Sequence, residues 1–138
     1  FKRLSQLKNT RAKNRINLIK SIKSSKKWDN QFSFFHPQKN LDPSWFGLPL
    51  MLNNKNTKSK KNFLKYLNKN NIETRPIISG NFVNQPAIKK YNIRYNKKDL
   101  KNSQEIEDKG FFIGLPTKIL DSSKINKITN LLLNVNNF

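Results

Sequence analysis

"NIETRPIISGNFVNQPAIKKY", Asn71 to Tyr91, is the stretch on which the reading of this chain turns. The protein has 23 Lys and 22 Asn in 138 residues, yet no Lys lies between Lys69 and Lys89. Arg is scarce, with five in all, and Arg75 stands alone in this gap, followed by Pro76. Ile72 to Ser79 reads as a strand, and Pro76, which cannot donate to a ladder, belongs at a sheet edge or a bulge. Gly80 permits a tight turn, and Gln85-Pro86 opens a short helix through Tyr91 with proline at its first position.

Two side chains here carry chemistry. A guanidinium binds carboxylate or phosphate through a planar fork, and an amide both donates to and accepts from hydroxyls. Arg75 at a strand end and Asn81 on the next turn could therefore face one anionic, polyhydroxylated ligand. The structural alternative is an Arg75 that pairs with Glu73 or caps a carbonyl. The residues alone do not separate the two.

Outward from this stretch, helices alternate with short strands. Residues 1–27 carry Phe1, Leu4, Leu7, Ala12, Ile16, Leu18, Ile19 and Ile22 on one half of a helical wheel. The other half is basic, with ten Lys and Arg before the first acid, Asp29. Gln31–Phe35 and Ser44–Leu52 read as strands separated by His36-Pro37 and Asp42-Pro43. A helix is expected from Ser59 to Asn70, stopped by Asn70-Asn71. Tyr91 to Lys101 reads as loop. Ser103 is a candidate N-cap, placing Glu105, Glu107 and Asp108 where acids offset a helix dipole. Gly110–Pro116, "GFFIGLP", reads as a strand, and a last helix begins near Asp121 or Ser122, with Ile125, Ile128, Leu131, Leu132 and Val135 on one arc. The order αββαβαβα implies an α+β fold, a small antiparallel or mixed sheet covered by helices.

Composition excludes more than it assigns. There is no Cys and one histidine, His36, so thiolate sites and most His metal sites are excluded, and any Ser-His-Asp arrangement would have to use His36. The four glycines, Gly47, Gly80, Gly110 and Gly114, form no phosphate loop. Trp45, Phe46, Phe111 and Phe112 are expected in the core rather than on a base-stacking surface. No apolar run approaches the ~18 residues of a membrane span, so a soluble, cytoplasmic protein is expected. The net charge of +20 invites a nucleic-acid or anionic-lipid partner. However, Lys, Asn, Ile and Phe, all encoded by A/T-rich codons, make up nearly half the chain. A genome drifting toward A and T would produce this charge without any phosphate ligand. The start at Phe1, inside a helical pattern, suggests a fragment of a longer protein.

"IETRPIISGNFVNQPAIKKY", preceded by "PSWFGLPLML" and followed by "DKGFFIGLPTKIL" and "INKITNLLL", resembles the C-terminal part of the DegT/StrS-type nucleotide-sugar aminotransferases. These are fold-type I pyridoxal phosphate (PLP) enzymes, a group that also includes sugar dehydratases. The likeness covers residues 43–135 in order, and residues 1–27 resemble the family's long connecting helix. It implies that residues 28–138 form the small C-terminal domain. The Schiff-base lysine, the acid facing the pyridine nitrogen and the phosphate-binding groups would lie upstream of Phe1, on a large domain that binds most of the PLP. No catalytic residue is then expected in this chain, which alone would be inactive. Arg75 and Asn81 match the family motif and are implied as substrate-side contacts. The implied partners are a nucleotide-linked keto-sugar, an amino-acid amino donor and a second subunit in a homodimer, with no nucleic acid, membrane or metal. "ETRPIISGN" and "GFFIGLPT" favour the aminotransferase branch over the dehydratase branch.

Overall fold

Alternating side chains in two apolar stretches build the centre of the molecule. The computed structural model describes residues 2–53 and 60–138. Strands β1 (Phe32–Phe34), β2 (Gly47–Leu52), β3 (Thr74–Arg75) and β4 (Gly110–Gly114) form one sheet in the order β1-β2-β4-β3, every pair antiparallel. The register sets Leu48 opposite Ile113, Leu50 opposite Phe111 and Phe32 opposite Leu52. Because side chains alternate between faces, these six residues share one side of the sheet, and all are buried. Pro49 sits in β2 without breaking the sheet because β1 begins to pair only at Leu50, leaving Pro49 matched to Phe112 alone.

Three helices cover that buried face: α1 (Leu4–Lys23), α2 (Lys60–Lys69) and α4 (Ser122–Leu132). They contribute Leu18 and Ile22, Phe63 and Leu67, and Leu132 to one core, which the following 3₁₀ turn completes with Leu133 and Val135. Phe63 is the hub. Its ring lies 6.2 Å from Phe32 and 6.0 Å from Phe111, the latter edge-on. Burial of each such side chain contributes about 1.5–3 kcal/mol. Asn14 of α1, fully buried, ties the helix to the segment after β4: its Nδ2 donates to Pro116 O and Lys118 O, and its Oδ1 accepts from Leu120 N. The result is the small antiparallel sheet under helices that the element order implied.

Several boundaries differ from the sequence reading. The strand expected over Ile72–Ser79 is reduced to Thr74–Arg75. Pro76 offers no N–H, and beyond it Ser79 (φ 68°) and Gly80 (φ 49°) turn left-handed, with Gly80 N bonded to Ile77 O. Helix α3 (Lys101–Lys109) starts before Ser103, which lies inside it. It follows a 3₁₀ turn, Lys97–Leu100, capped by the Asn96 side chain, so the loop expected over 91–101 is partly helical and Glu105, Glu107 and Asp108 fall in the helix's last turns. Dipole compensation is therefore not their role. The stripe expected on α1 is also displaced. Leu4 and Ile16 are exposed, while Asn14, Arg15, Leu18 and Ile22 face inward, because Asn14 is fastened to the post-β4 carbonyls. Phe46, expected in the core, is 62% exposed. Phe1 and Ser59, included in the expected helices, lie outside the described residues.

Candidate functional site

Arg75 ends β3 at the sheet edge, opposite Phe112. Its Nε and Nη2 both donate to Glu73 Oε1, at 2.9 and 2.7 Å. The two side chains are 61% and 72% exposed, and ion pairs this open to water contribute about 0–1 kcal/mol. Thus Arg75 has the partner that the structural alternative named, yet one that a ligand carboxylate or phosphate could displace at little cost.

Immediately after Pro76 the chain folds back as a turn clamped onto α3. Glycine is favoured at position 80 on two counts: its φ is left-handed, and an added Cβ would sit 3.1 Å from Glu107 Cγ. Ile77 packs on Gly110, where an added Cβ would come within 2.8 Å of Ile77 Cδ1. Asn81 N donates to Glu107 Oε2 at 2.7 Å, and Asn84 Nδ2 donates to the same oxygen at 3.1 Å. The amides of Asn81 and Asn84 both donate to Gln104 Oε1 at 2.9 Å, and Gln104 Nε2 in turn donates to Asp108 Oδ1. Spacing of three and four residues puts Gln104, Glu107 and Asp108 on one helix face. Lys60 reaches across from α2 to donate to Glu107 O at 2.6 Å. Burial lowers the Lys60 pKa, opposed by the charges of Asp108 and Glu107.

Asn81 is only 5% exposed, and with Nδ2 spent on Gln104 its Oδ1 is buried without a hydrogen-bond partner among the described residues. An orphaned buried acceptor costs about 1–3 kcal/mol, which marks this atom as the one on the turn still in need of a donor. Hydrogen bonds do not link Arg75 to Asn81 among the described residues: one stands in solvent at the sheet edge, the other is sunk against α3.

A second feature lies on the sheet face that the helices leave open. Trp45, Phe46, Pro49, Ile77, Ile78 and Phe112 line a trough of about 300 Å³, with Ile78 82% exposed. Arg15 lies 4.0 Å above the Trp45 ring and donates through Nη2 to Phe35 O, while Arg11 lies 5.9 Å from the Phe46 ring. His36 is exposed beyond β1. Among the described residues no group of His, Asp and Glu could hold a metal ion, and no helix is long and apolar enough to cross a membrane.

Sequence reasoning found Arg75, Glu73, Gly80 and Asn81 but passed over Gln104 and misread Glu107. The available signal was scarcity: the chain has eight acids, and three of them fall within four residues of α3.

The structure is thus a helix-covered antiparallel sheet with an edge arginine and a Gly-Asn turn clamped to α3. Residues 1–132 match the DegT/DnrJ/EryC1/StrS aminotransferase family, and the chain belongs to it. It is 33% identical over 75 residues to the lipopolysaccharide biosynthesis protein RfbH of Salmonella typhimurium, covering 54% of this chain and 17% of that protein. It is 29% identical over 77 residues to the GDP-4-keto-6-deoxy-D-mannose 3-dehydratase of Escherichia coli O55:H7, covering 56% of this chain and 20% of the relative. The fold superposes on the Escherichia coli GDP-4-keto-6-deoxy-D-mannose-3-dehydratase with bound hydrated PLP at a TM-score of 0.74 and 24% identity, over 95% of this chain and 32% of that one. The chain thus spans about a third of that solved structure and a smaller share of the curated relatives it matches.

Proposed function

We propose that this chain is the C-terminal domain of a PLP-dependent aminotransferase that acts on a nucleotide-linked keto-sugar, with an amino acid as amino donor, in the making of surface polysaccharide. The observation that carries the reading is the family match over residues 1–132, with its motifs in family order around Arg75 and Asn81. Residues 1–27 would connect to a PLP-binding large domain and residues 28–138 would form the small domain, in a cytoplasmic homodimer.

In this reading the PLP site belongs to the remainder of the protein. Lys60, whose pKa burial lowers, has its amine committed to the Glu107 carbonyl, and no glycine-rich loop is available to cradle a phosphate. The cofactor, which supplies the electron sink for amino transfer when bound, is therefore assigned to the remainder of the protein. What this chain offers is substrate handling. Arg75, released from Glu73, would hold an anionic group, and Asn81 would accept a hydrogen bond at Oδ1. The aromatic trough would seat the large domain. This chain alone is then inactive.

A second reading keeps the family and changes the reaction: the likeness to the 3-dehydratase of Escherichia coli O55:H7 supports loss of a sugar hydroxyl instead of amino transfer. The experiment is to purify the protein from its complete reading frame and record its visible spectrum and its kinetics. Bound-PLP absorbance is expected, with Arg75→Ala raising KM for the sugar nucleotide about tenfold or more while the absorbance is unchanged. A colourless protein that binds no added PLP refutes the proposal.

A further inference from the structure

Two arginines on α1 end against aromatic rings instead of carboxylates. Lys8, Arg11 and Arg15, spaced three and four residues apart, form one row along the helix. All three face the segment that joins β1 to β2. Lys8 pairs there with Asp42, whereas Arg11 and Arg15 lie over the rings of Phe46 and Trp45. The other ion pairs among the described residues are Glu73–Arg75, Glu105–Lys109 and Asp121–Lys124, so neither guanidinium has a carboxylate.

Arg15 is only 7% exposed. It has the Trp45 face and a bond from Nη2 to Phe35 O, but its Nε–H is buried with no acceptor among the described residues. The Nε–H of Arg11 is buried and unpartnered in the same way. A ring face attracts a cation, yet it leaves an N–H without the acceptor that burial demands. The row therefore lacks an anion.

The rings beneath these arginines also line the open trough, with Pro49, Ile78 and Phe112, and both Phe46 and Ile78 are widely exposed. An anion held by Arg11 and Arg15 thus stands beside an apolar floor. A free phosphate would gain nothing from that floor, whereas a polypeptide fills it with apolar side chains while one acid reaches the arginines. This chain is poor in acids, with 8 against 28 Lys and Arg. Under the reading given as Proposed function, the rest of the polypeptide joins at α1, and Arg11 is about 10 Å along the axis from Leu4, where α1 begins.

We propose that an Asp or Glu from the remaining polypeptide of the same subunit inserts at Arg11 and Arg15 and locks that part of the protein onto the trough. This rests on the reading under Proposed function and deepens it by naming the two residues that fasten the seat.

The test is made on the complete protein. Arg11→Lys and Arg15→Lys, prepared separately, keep the charge and put a primary amine at the site. A water-soluble carbodiimide joins such an amine to a carboxylate in contact with it: an amide forms, and the reagent takes up the water as a urea. Mass spectrometry on mixed light- and heavy-nitrogen subunits then separates links within one subunit from links between two. A link is expected from position 11 or 15 to an Asp or Glu outside residues 1–138 of the same subunit, absent from the unsubstituted protein. Arg11→Met/Arg15→Met should also speed amide exchange at Trp45, Phe46 and Ile78 about tenfold or more, with the core amides of Leu50 and Phe111 checking the fold. No such link in either lysine variant overturns the inference. So does a link to an acid within residues 1–138, a link to the partner subunit, or exchange unchanged within twofold. Inorganic phosphate that binds the unsubstituted protein in calorimetry, but not the double methionine variant, overturns it in favour of a small anion. An active, PLP-loaded enzyme without the link defeats this inference alone, whereas a linked protein that binds no PLP defeats only the enzymatic reading.

Discussion

Replacing Glu107 by alanine should release the Gly80–Asn81 turn from α3. The Glu107 carboxylate accepts from Asn81 N at 2.7 Å and from Asn84 Nδ2 at 3.1 Å, and hydrogen bonds to a charged acceptor contribute about 1.5–3 kcal/mol each. Asn84 is exposed and can turn to water, so the net local cost is about 2–3 kcal/mol. The suitable readout is local: amide hydrogen exchange of residues 79–84 by NMR. A loss of 2–3 kcal/mol corresponds to about 30- to 150-fold faster exchange at Asn81. Glu107→Gln keeps a neutral acceptor oxygen and should fall between. Glu105→Ala is the control, since its carboxylate is exposed and pairs with Lys109 on the same helix. If Glu105→Ala accelerated Asn81 exchange as much as Glu107→Ala, the acids of α3 would be acting collectively on the helix, and the clamp would be wrong.

Three further outcomes follow from the same geometry. Gly80→Ala, forced to keep a φ near +49° with its Cβ 3.1 Å from Glu107, should cost about 1–2 kcal/mol in urea unfolding, and Gly80→Asn less, because asparagine tolerates the left-handed region. Asn14→Leu should cost about 2–4 kcal/mol in the same assay, because it strands the carbonyls of Pro116 and Lys118 and the amide of Leu120. The third concerns pH. A side-chain hydrogen bond from Lys124, with the Lys124 backbone amide adding to it, lowers the Asp121 pKa below 3.8. Its folded pKa thus lies below its unfolded one, so its N-cap contribution is complete only well above the unfolded value and is lost as pH falls through the folded value. NMR titration should place the Asp121 midpoint below that of an unstructured aspartate, and Lys124→Ala should raise it.

The parts of the fold that periodicity governs were legible. β2 and β4 stand out as short apolar runs bounded by glycine and proline, α4 opens at its Asp121 cap, and the left-handed Asn71 ends α2 where a paired-asparagine stop was expected. What was illegible depended on tertiary contacts. Nothing local says that Asn14 will be buried while Ile16 is exposed; that follows from three backbone groups over a hundred residues away. Likewise Ile72–Ser79 has strand propensity, but the partner β4 supplies pairing only at Ile113 and Phe112 before Pro76 breaks the ladder. At the candidate site, Arg75 and Asn81 stood out because their segment lacks lysine. Their supports did not, because Gln104 and Glu107 come from an unremarkable polar helix, and only the folded chain brings it against the turn.

Amino transfer is tested most directly by following the nitrogen. The complete protein, supplied with a heavy-nitrogen-labelled amino acid and a nucleotide-linked 4-keto-sugar, should yield a product whose mass shows the label on the sugar. An unlabelled product lacking a hydroxyl oxygen would move the protein to the dehydratase branch of the same family. A sugar recovered unchanged from PLP-loaded protein across a panel of nucleotide sugars and amino donors would contradict the account.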